Sequence, residues 1–232
     1  MIEYKWIDIE KISYKDALYL QKLLQEKVIN DNSTQYILTL MHNDVITTGK
    51  RGFLDNLNYD KDFYLKNNIE LIKTDRGGLT TYHGDGQLVV YFIFNLADFK
   101  LGIKKFVSKL EDVIIHFLKK RGILANKIEN KRGIFIGKNK ICAIGLHVSH
   151  NVTSHGFALN ITTDLEKFNL FTPCGLKDCG VTSLEKINNL NINLKNIKEE
   201  VLKEIEQEFN INFTWIFDKK VYFNFRLWFI SI

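Results

Sequence analysis

A chain of 232 residues is long enough to bury a sizeable core in one domain, and 45% hydrophobic with 25% charged residues are ordinary globular proportions. No apolar run approaches the roughly 20 residues that span a bilayer, and the N-terminus lacks both a signal peptide's apolar stretch and a transit peptide's Arg/Ser bias, which points to the cytoplasm with no membrane partner. The net charge of +5, from 32 Lys+Arg against 27 Asp+Glu, is dispersed and comes with no nucleic-acid motif, so it suits a solvated surface or a face for an acidic partner rather than nucleic acid.

Residues 14–29 carry apolar side chains at helical spacing. Residues 35–41 and 44–48 read as a strand pair turning at His42-Asn43-Asp44. Asp60 is placed to cap a short helix, and Ile69–Lys73 reads as a strand. A glycine-rich stretch runs from Arg76 to Gln87, followed by the apolar, β-rich run Leu88–Leu96 of a buried strand. Residues 103–120 form the clearest amphipathic helix, closed by Arg121-Gly122.

Three strand-like pieces follow, Gly133–Gly137, Ile141–Ser149 and Val152–Ile161, the first two joined by a turn at Lys138-Asn139. Thr182-Ser183-Leu184-Glu185 offers a capping-box helix start, and residues 195–209 are a further amphipathic helix. The aromatic stretch Trp215 to Ile232 reads as a terminal strand or docked tail. Strands and helices mix without regular βαβ alternation. The expected fold is therefore α+β, a mixed, largely antiparallel sheet flanked by helices, in a single domain over 1–232.

The only proline stands directly before a cysteine, in Thr172-Pro173-Cys174-Gly175. Proline fixes φ and glycine frees it, so the Cys174 thiol is presented on a turn rather than packed. An odd total of three cysteines argues against a disulfide framework and for a reducing compartment. Cys142 shares a strand face with Ile144, Leu146 and Val148, which favours packing. Cys179 follows Asp178, whose carboxylate would raise its thiol pKa, a poor setting for a nucleophile. A free thiol ionises near about 8.5, so a nucleophilic Cys174 needs a cation or a base: His83, His147, His150, His155 or a lysine. Lys140 opens a strand that otherwise reads as buried. It is either a turn lysine in water or a group at the edge of a cavity. The His and Cys spacings match no zinc pattern, and no metal or other cofactor is expected. The glycine stretch lacks Gly-x-Gly-x-x-Gly and Gly-Lys-Ser/Thr, which leaves nucleotide phosphate binding unsupported.

Five segments stand in a common order: Thr48-Gly49-Lys50-Arg51-Gly52, Arg76 to Gln87, Lys140-Ile-Cys-Ala-Ile-Gly145, His155-Gly-Phe-Ala-Leu-Asn160 and Pro173-Cys-Gly175. Together they resemble the lipoyl(octanoyl) transferases of lipoate biosynthesis, across roughly residues 30 to 190. The resemblance implies the fold of biotin and lipoate ligases. It implies a catalytic Cys174 with Lys140 lowering its pKa. Substrate contacts would come from Arg76, Gly77, Gly78, Leu79, Thr80, Thr81, Tyr82 and His83, from Ala143, Ile144 and Gly145, and from Gly156, Phe157 and Ala158. The implied donor is octanoyl-acyl carrier protein. The implied acceptors are lipoyl domains of 2-oxoacid dehydrogenases and the glycine cleavage H protein, with the enzyme acting as a monomer.

The family's usual His-Gly-Pro-Gly-Gln is here His83-Gly84-Asp85-Gly86-Gln87, and Asp85 is expected to face solvent. The rival readings are an ATP-dependent lipoate or biotin ligase, an amidotransferase between lipoyl proteins, and a non-catalytic module binding a carrier protein or nucleic acid.

Overall fold

The structure, a computed structural model, describes residues 2–52, 56–172, 179–188 and 192–216. Cys174 with its neighbours Pro173 and Gly175, and the tail 217–232, lie outside the described residues.

The elements run β1 (Glu3–Ile12), α1 (Tyr14–Asn30), β2 (Thr34–His42), β3 (Val45–Thr48), α2 (Lys61–Lys66), β4 (Glu70–Lys73), β5 (Thr80–His83), β6 (Gln87–Ile93) and α3 (Ile103–Lys120). Then come β7 (Asn126–Ile128), β8 (Lys131–Ile136), β9 (Asn139–Ser149), β10 (Val152–Asn160), α4 (Leu184–Asn188), α5 (Leu194–Phe209) and β11 (Phe213–Ile216). Eight strands form one sheet in the order β11-β1-β2-β6-β10-β9-β8-β7, and three form a small sheet, β4-β3-β5. Strand β1 is parallel to both its neighbours, while the pairs from β2 to β7 are antiparallel, as the α+β expectation requires.

Strand β6 is the spine. Every residue in it is buried, because both sheet faces are covered. Leu88, Val90 and Phe92 enter the core shared with α3 and α5. Val89, Tyr91 and Ile93 enter the core that α1 closes with Ala17, Leu20, Leu24 and Val28. The period of 3.6 puts those four on one stripe of α1, and Ser13 caps that helix by accepting the Asp16 N–H at 3.1 Å. Asp60 likewise caps α2, accepting the Phe63 N–H at 2.8 Å.

Strands β2 and β3 are not the hairpin that their spacing suggests. β2 pairs with β1 and β6, whereas β3 leaves the large sheet to pair with β4 and β5. The β8–β9 turn is Gly137-Lys138, one residue earlier than expected. The cap of α4 is Ser183, whose Oγ accepts the Lys186 N–H at 3.3 Å, rather than Thr182. Asp85 faces solvent and pairs with Lys11 at 2.6 Å.

Candidate active site

A cavity of about 250 Å³ lies between the large sheet and the small one. Val89 and Tyr91 of β6, Ala143, Ile144 and Gly145 of β9, and Gly156, Phe157 and Ala158 of β10 form one wall. Thr80, Thr81 and His83 of β5, with Arg76, Gly78 and Leu79 ahead of it, form the facing wall.

The loop at 76–79 is fixed from two sides. Backbone N–H groups of Gly49, Lys50 and Arg51 donate to the carbonyls of Leu79, Arg76 and Gly78 at 3.1, 2.9 and 3.2 Å. On the other side Gly77 N–H donates to Leu146 O at 2.8 Å. This approach explains why position 145 is glycine: a Cβ there would stand 2.7 Å from the Gly77 carbonyl oxygen. Arg76 is only 7% exposed. Its guanidinium donates to Thr47 O and Thr47 Oγ1, each at 2.8 Å, and to Gly77 O at 3.2 Å. Among the described residues these partners are all neutral, so a buried positive charge faces the cavity without a carboxylate. Burial pushes its pKa down, but a guanidinium stays protonated at neutral pH.

Lys140 lines the same cavity, which resolves the sequence alternative against a turn lysine in water. Its Nζ lies 5.2 Å from the centroid of the Phe135 ring. Gly133, at φ +115°, leaves room beside its stem: a Cβ there would meet Cys142 O at 2.4 Å and Lys140 Cε at 3.4 Å. Burial lowers the Lys140 pKa, opposed by attraction to Cys142 and Cys179. Its backbone anchors the segment beyond residue 178. Lys140 N–H donates to Gly180 O and Thr182 N–H donates to Lys140 O, both at 2.9 Å. At the other flank Thr172 N–H donates to Asn56 O at 2.7 Å, and Phe171 bridges Leu57. Phe171 and Cys179 both line the cavity, so both described flanks of the stretch that carries Cys174 are held at its edge.

Cys142 is fully buried, and burial pushes its thiol pKa up, consistent with packing. Cys179 has a partner that its sequence neighbours do not announce. Its Sγ lies 2.8 Å from Lys131 Nζ and faces the cavity. That ammonium comes from 48 residues away in sequence.

A chain of buried hydrogen bonds joins the glycine stretch to this flank. His83 Nδ1 donates to Gln87 Oε1 at 2.7 Å, and Gln87 Nε2 to Asn160 Oδ1 at 2.9 Å. Asn160 Nδ2 then donates to Thr182 O at 3.0 Å. Beside it, His42 Nδ1 donates to Ile12 O at 3.0 Å and Nε2 accepts from Tyr91 OH at 2.7 Å. Burial holds the His42 pKa down at about 4. His155 sits at φ +60°, a strained conformation for a non-glycine residue within a strand. Its Nε2 is 2.8 Å from Asp75 Oδ1. That bond holds the Asp75 pKa at about 2, while burial pushes His155 down despite the carboxylate. A neutral imidazole donating its Nε2–H satisfies both.

Two expected substrate contacts are not on the cavity wall. Tyr82 alternates away from Thr81 and His83, packs with Ile46, Tyr64 and Phe171, and donates its hydroxyl to Asp44 at 2.8 Å. Gly77 spends its N–H on Leu146, which removes it as an oxyanion donor. Lining residues not expected as substrate contacts include Tyr14, Gln87, Tyr91, Lys131, Arg132, His155 and Asn160. Gln87, His155 and Asn160 stood inside the recognised motifs. Lys131 and Arg132 carried no signal beyond their charge.

This fold and cavity correspond to a known class. Residues 13–206 match the lipoyl protein ligase A/B catalytic domain, and the chain belongs to that family. Within it, the chain is 40% identical to an octanoyltransferase of Caldicellulosiruptor saccharolyticus over 90% of this chain and 89% of that protein. It is 44% identical to one of Caldicellulosiruptor bescii over 82% and 85%. Among solved structures, a lipoate-protein ligase A bound with ATP superposes with a TM-score of 0.78 at 16% identity, covering 94% of this chain and 91% of that one. At that identity the likeness shows the fold alone.

Proposed function

We propose that this chain moves an octanoyl group from octanoyl-acyl carrier protein to a lysine of lipoyl domains, through a thioester on Cys174. The observation that carries this reading is the half-buried Lys140 at the cavity edge, with its backbone tied to the flank of the Cys174 stretch. An ammonium there favours the Cys174 thiolate. The thiolate attacks the donor's thioester carbonyl, a C–S bond forms, and the carrier's thiolate leaves with the proton that Lys140 gives up, which leaves Lys140 neutral for the second step. The acceptor amine then attacks the octanoyl-Cys174 carbonyl. A C–N bond forms, Cys174 leaves as thiolate, and Lys140, its pKa lowered by burial, takes the amine proton. The Arg76 guanidinium adds positive potential where negative charge develops on the carbonyl oxygen, and Gly78, on the cavity wall, is the backbone candidate to donate to it. The acyl chain lies along Val89, Ile144, Phe157 and Ala158.

Transfer assays separate this from the ligase reading. Octanoyl-acyl carrier protein should octanoylate a lipoyl domain without nucleotide. A requirement for ATP with free octanoate would contradict the proposal.

A further inference from the structure

The cavity's mouth carries cations that the transfer chemistry leaves unused. Arg51, Lys131 and Arg132 line it together with Lys140 and Arg76, and among the described residues no Asp or Glu does. Elsewhere Lys11, Lys109, Lys120, Arg121, Lys127 and Lys198 all sit against carboxylates. Among the described residues Arg51, Lys131 and Arg132 join no ion pair. Lys131 is directed at Cys179 Sγ, which leaves the two exposed guanidiniums.

Their placement is defined by the fold. Arg51 is fixed by its N–H on Gly78 O at 3.2 Å, on the glycine-loop wall. Arg132 is on β8, where Phe135 pairs with Lys140. Phe135 is three positions on from Arg132, roughly 10 Å in a regular strand. Both guanidiniums line one cavity without a carboxylate partner among the described residues, and the fork geometry of arginine matches phosphate oxygens.

We propose that Arg51 and Arg132 form a phosphate subsite at the mouth. It takes the phosphate that joins a donor's pantetheine arm to its carrier, while the thioester end reaches Lys140. The subsite presupposes the acyl-transfer reading above and names how that reaction's donor is held.

The test is titration of the full chain at low salt with 4′-phosphopantetheine and with pantetheine, which lacks the phosphate. The phosphorylated arm should bind about tenfold more tightly, and in R51A/R132A the two affinities should agree to within about twofold. A thermal melt confirms that the double variant is folded. Equal affinities in the unsubstituted protein, or a gap that survives in R51A/R132A, would overturn the subsite. So would a salt-sensitive loss of lipoyl-domain binding in the double variant with no phosphate preference, which would assign the arginines to an acidic protein face. Octanoyl transfer from octanoyl-pantetheine is followed in parallel: its complete absence, with the phosphate preference intact, strikes the acyl-transfer reading and leaves the subsite standing.

Discussion

Lys140 is held where its charge is costly, and in the proposed reaction that cost is the source of its use. Burial lowers its pKa, so it gives and takes a proton more readily near neutral pH than a surface lysine does. Two substitutions separate charge from proton transfer. Lys140→Met should lower kcat/KM by about 10²- to 10⁴-fold and slow alkylation of Cys174 at neutral pH. Lys140→Arg keeps a cation but holds its proton, so alkylation should persist while turnover falls. If both variants alkylate and turn over like the parent, Lys140 has neither role. Cys179 shows why single residues were only partly legible. Its sequence neighbour is a carboxylate, but its partner in space is Lys131. A local reading of charge cannot see a contact made across 48 residues.

At the scale of elements, the short connection between β10 and the Cys174 flank is made by side chains rather than by a sheet ladder. Asn160 bonds both Gln87 and the Thr182 carbonyl from a buried position, 4% exposed. Asn160→Ala leaves a buried donor and a buried acceptor unmatched. It should cost about 1–3 kcal/mol in urea unfolding. Asn160→Asp keeps the acceptor for Gln87 but sets a buried carboxylate against the Thr182 carbonyl oxygen, and should cost at least as much as Asn160→Ala. Equal stability in all three proteins would show that the link does not bear on the fold.

The elements that could be read from sequence were those whose own pattern decides them: α3 by its amphipathic period, β6 by its unbroken apolar run, α2 by the Asp60 cap. Pairing was less legible. All four residues of β3 are buried, so no polar face announces which sheet it joins, and its proximity to β2 suggested a hairpin that the fold does not make. Strand β1 escaped notice because only three of its ten residues are buried. The cavity wall was legible where motifs fell on β9 and β10. It failed at Tyr82, where strand alternation turns one residue of a matching motif into the neighbouring core.

Across the whole molecule, the cavity stands on a floor of neutral histidines. His42, His83 and His155 are all buried with pKa values pushed down, His42 to about 4. A histidine whose folded pKa is depressed contributes full stability above its unfolded pKa near 6.5, and loses it as pH falls towards the folded value. For His42 the shift from 6.5 to about 4 corresponds to about 3 kcal/mol. The melting temperature should therefore drop between pH 6.5 and pH 4, ahead of the loss of the Asp75 contribution, which begins below about 4 and runs to about 2. A His42→Gln variant, which does not titrate, should lose less over that window. A flat profile from pH 7 to pH 4 would contradict the buried neutral histidines. The proposed covalent step is what would distinguish this use of the fold from an ATP-dependent one. It is read most directly by the intact mass of the protein after incubation with octanoyl-acyl carrier protein. One added octanoyl group that is released by hydroxylamine and absent in Cys174→Ala is the predicted result. An unmodified mass in a protein that still octanoylates lipoyl domains, or an adduct that persists in Cys174→Ala, would contradict it.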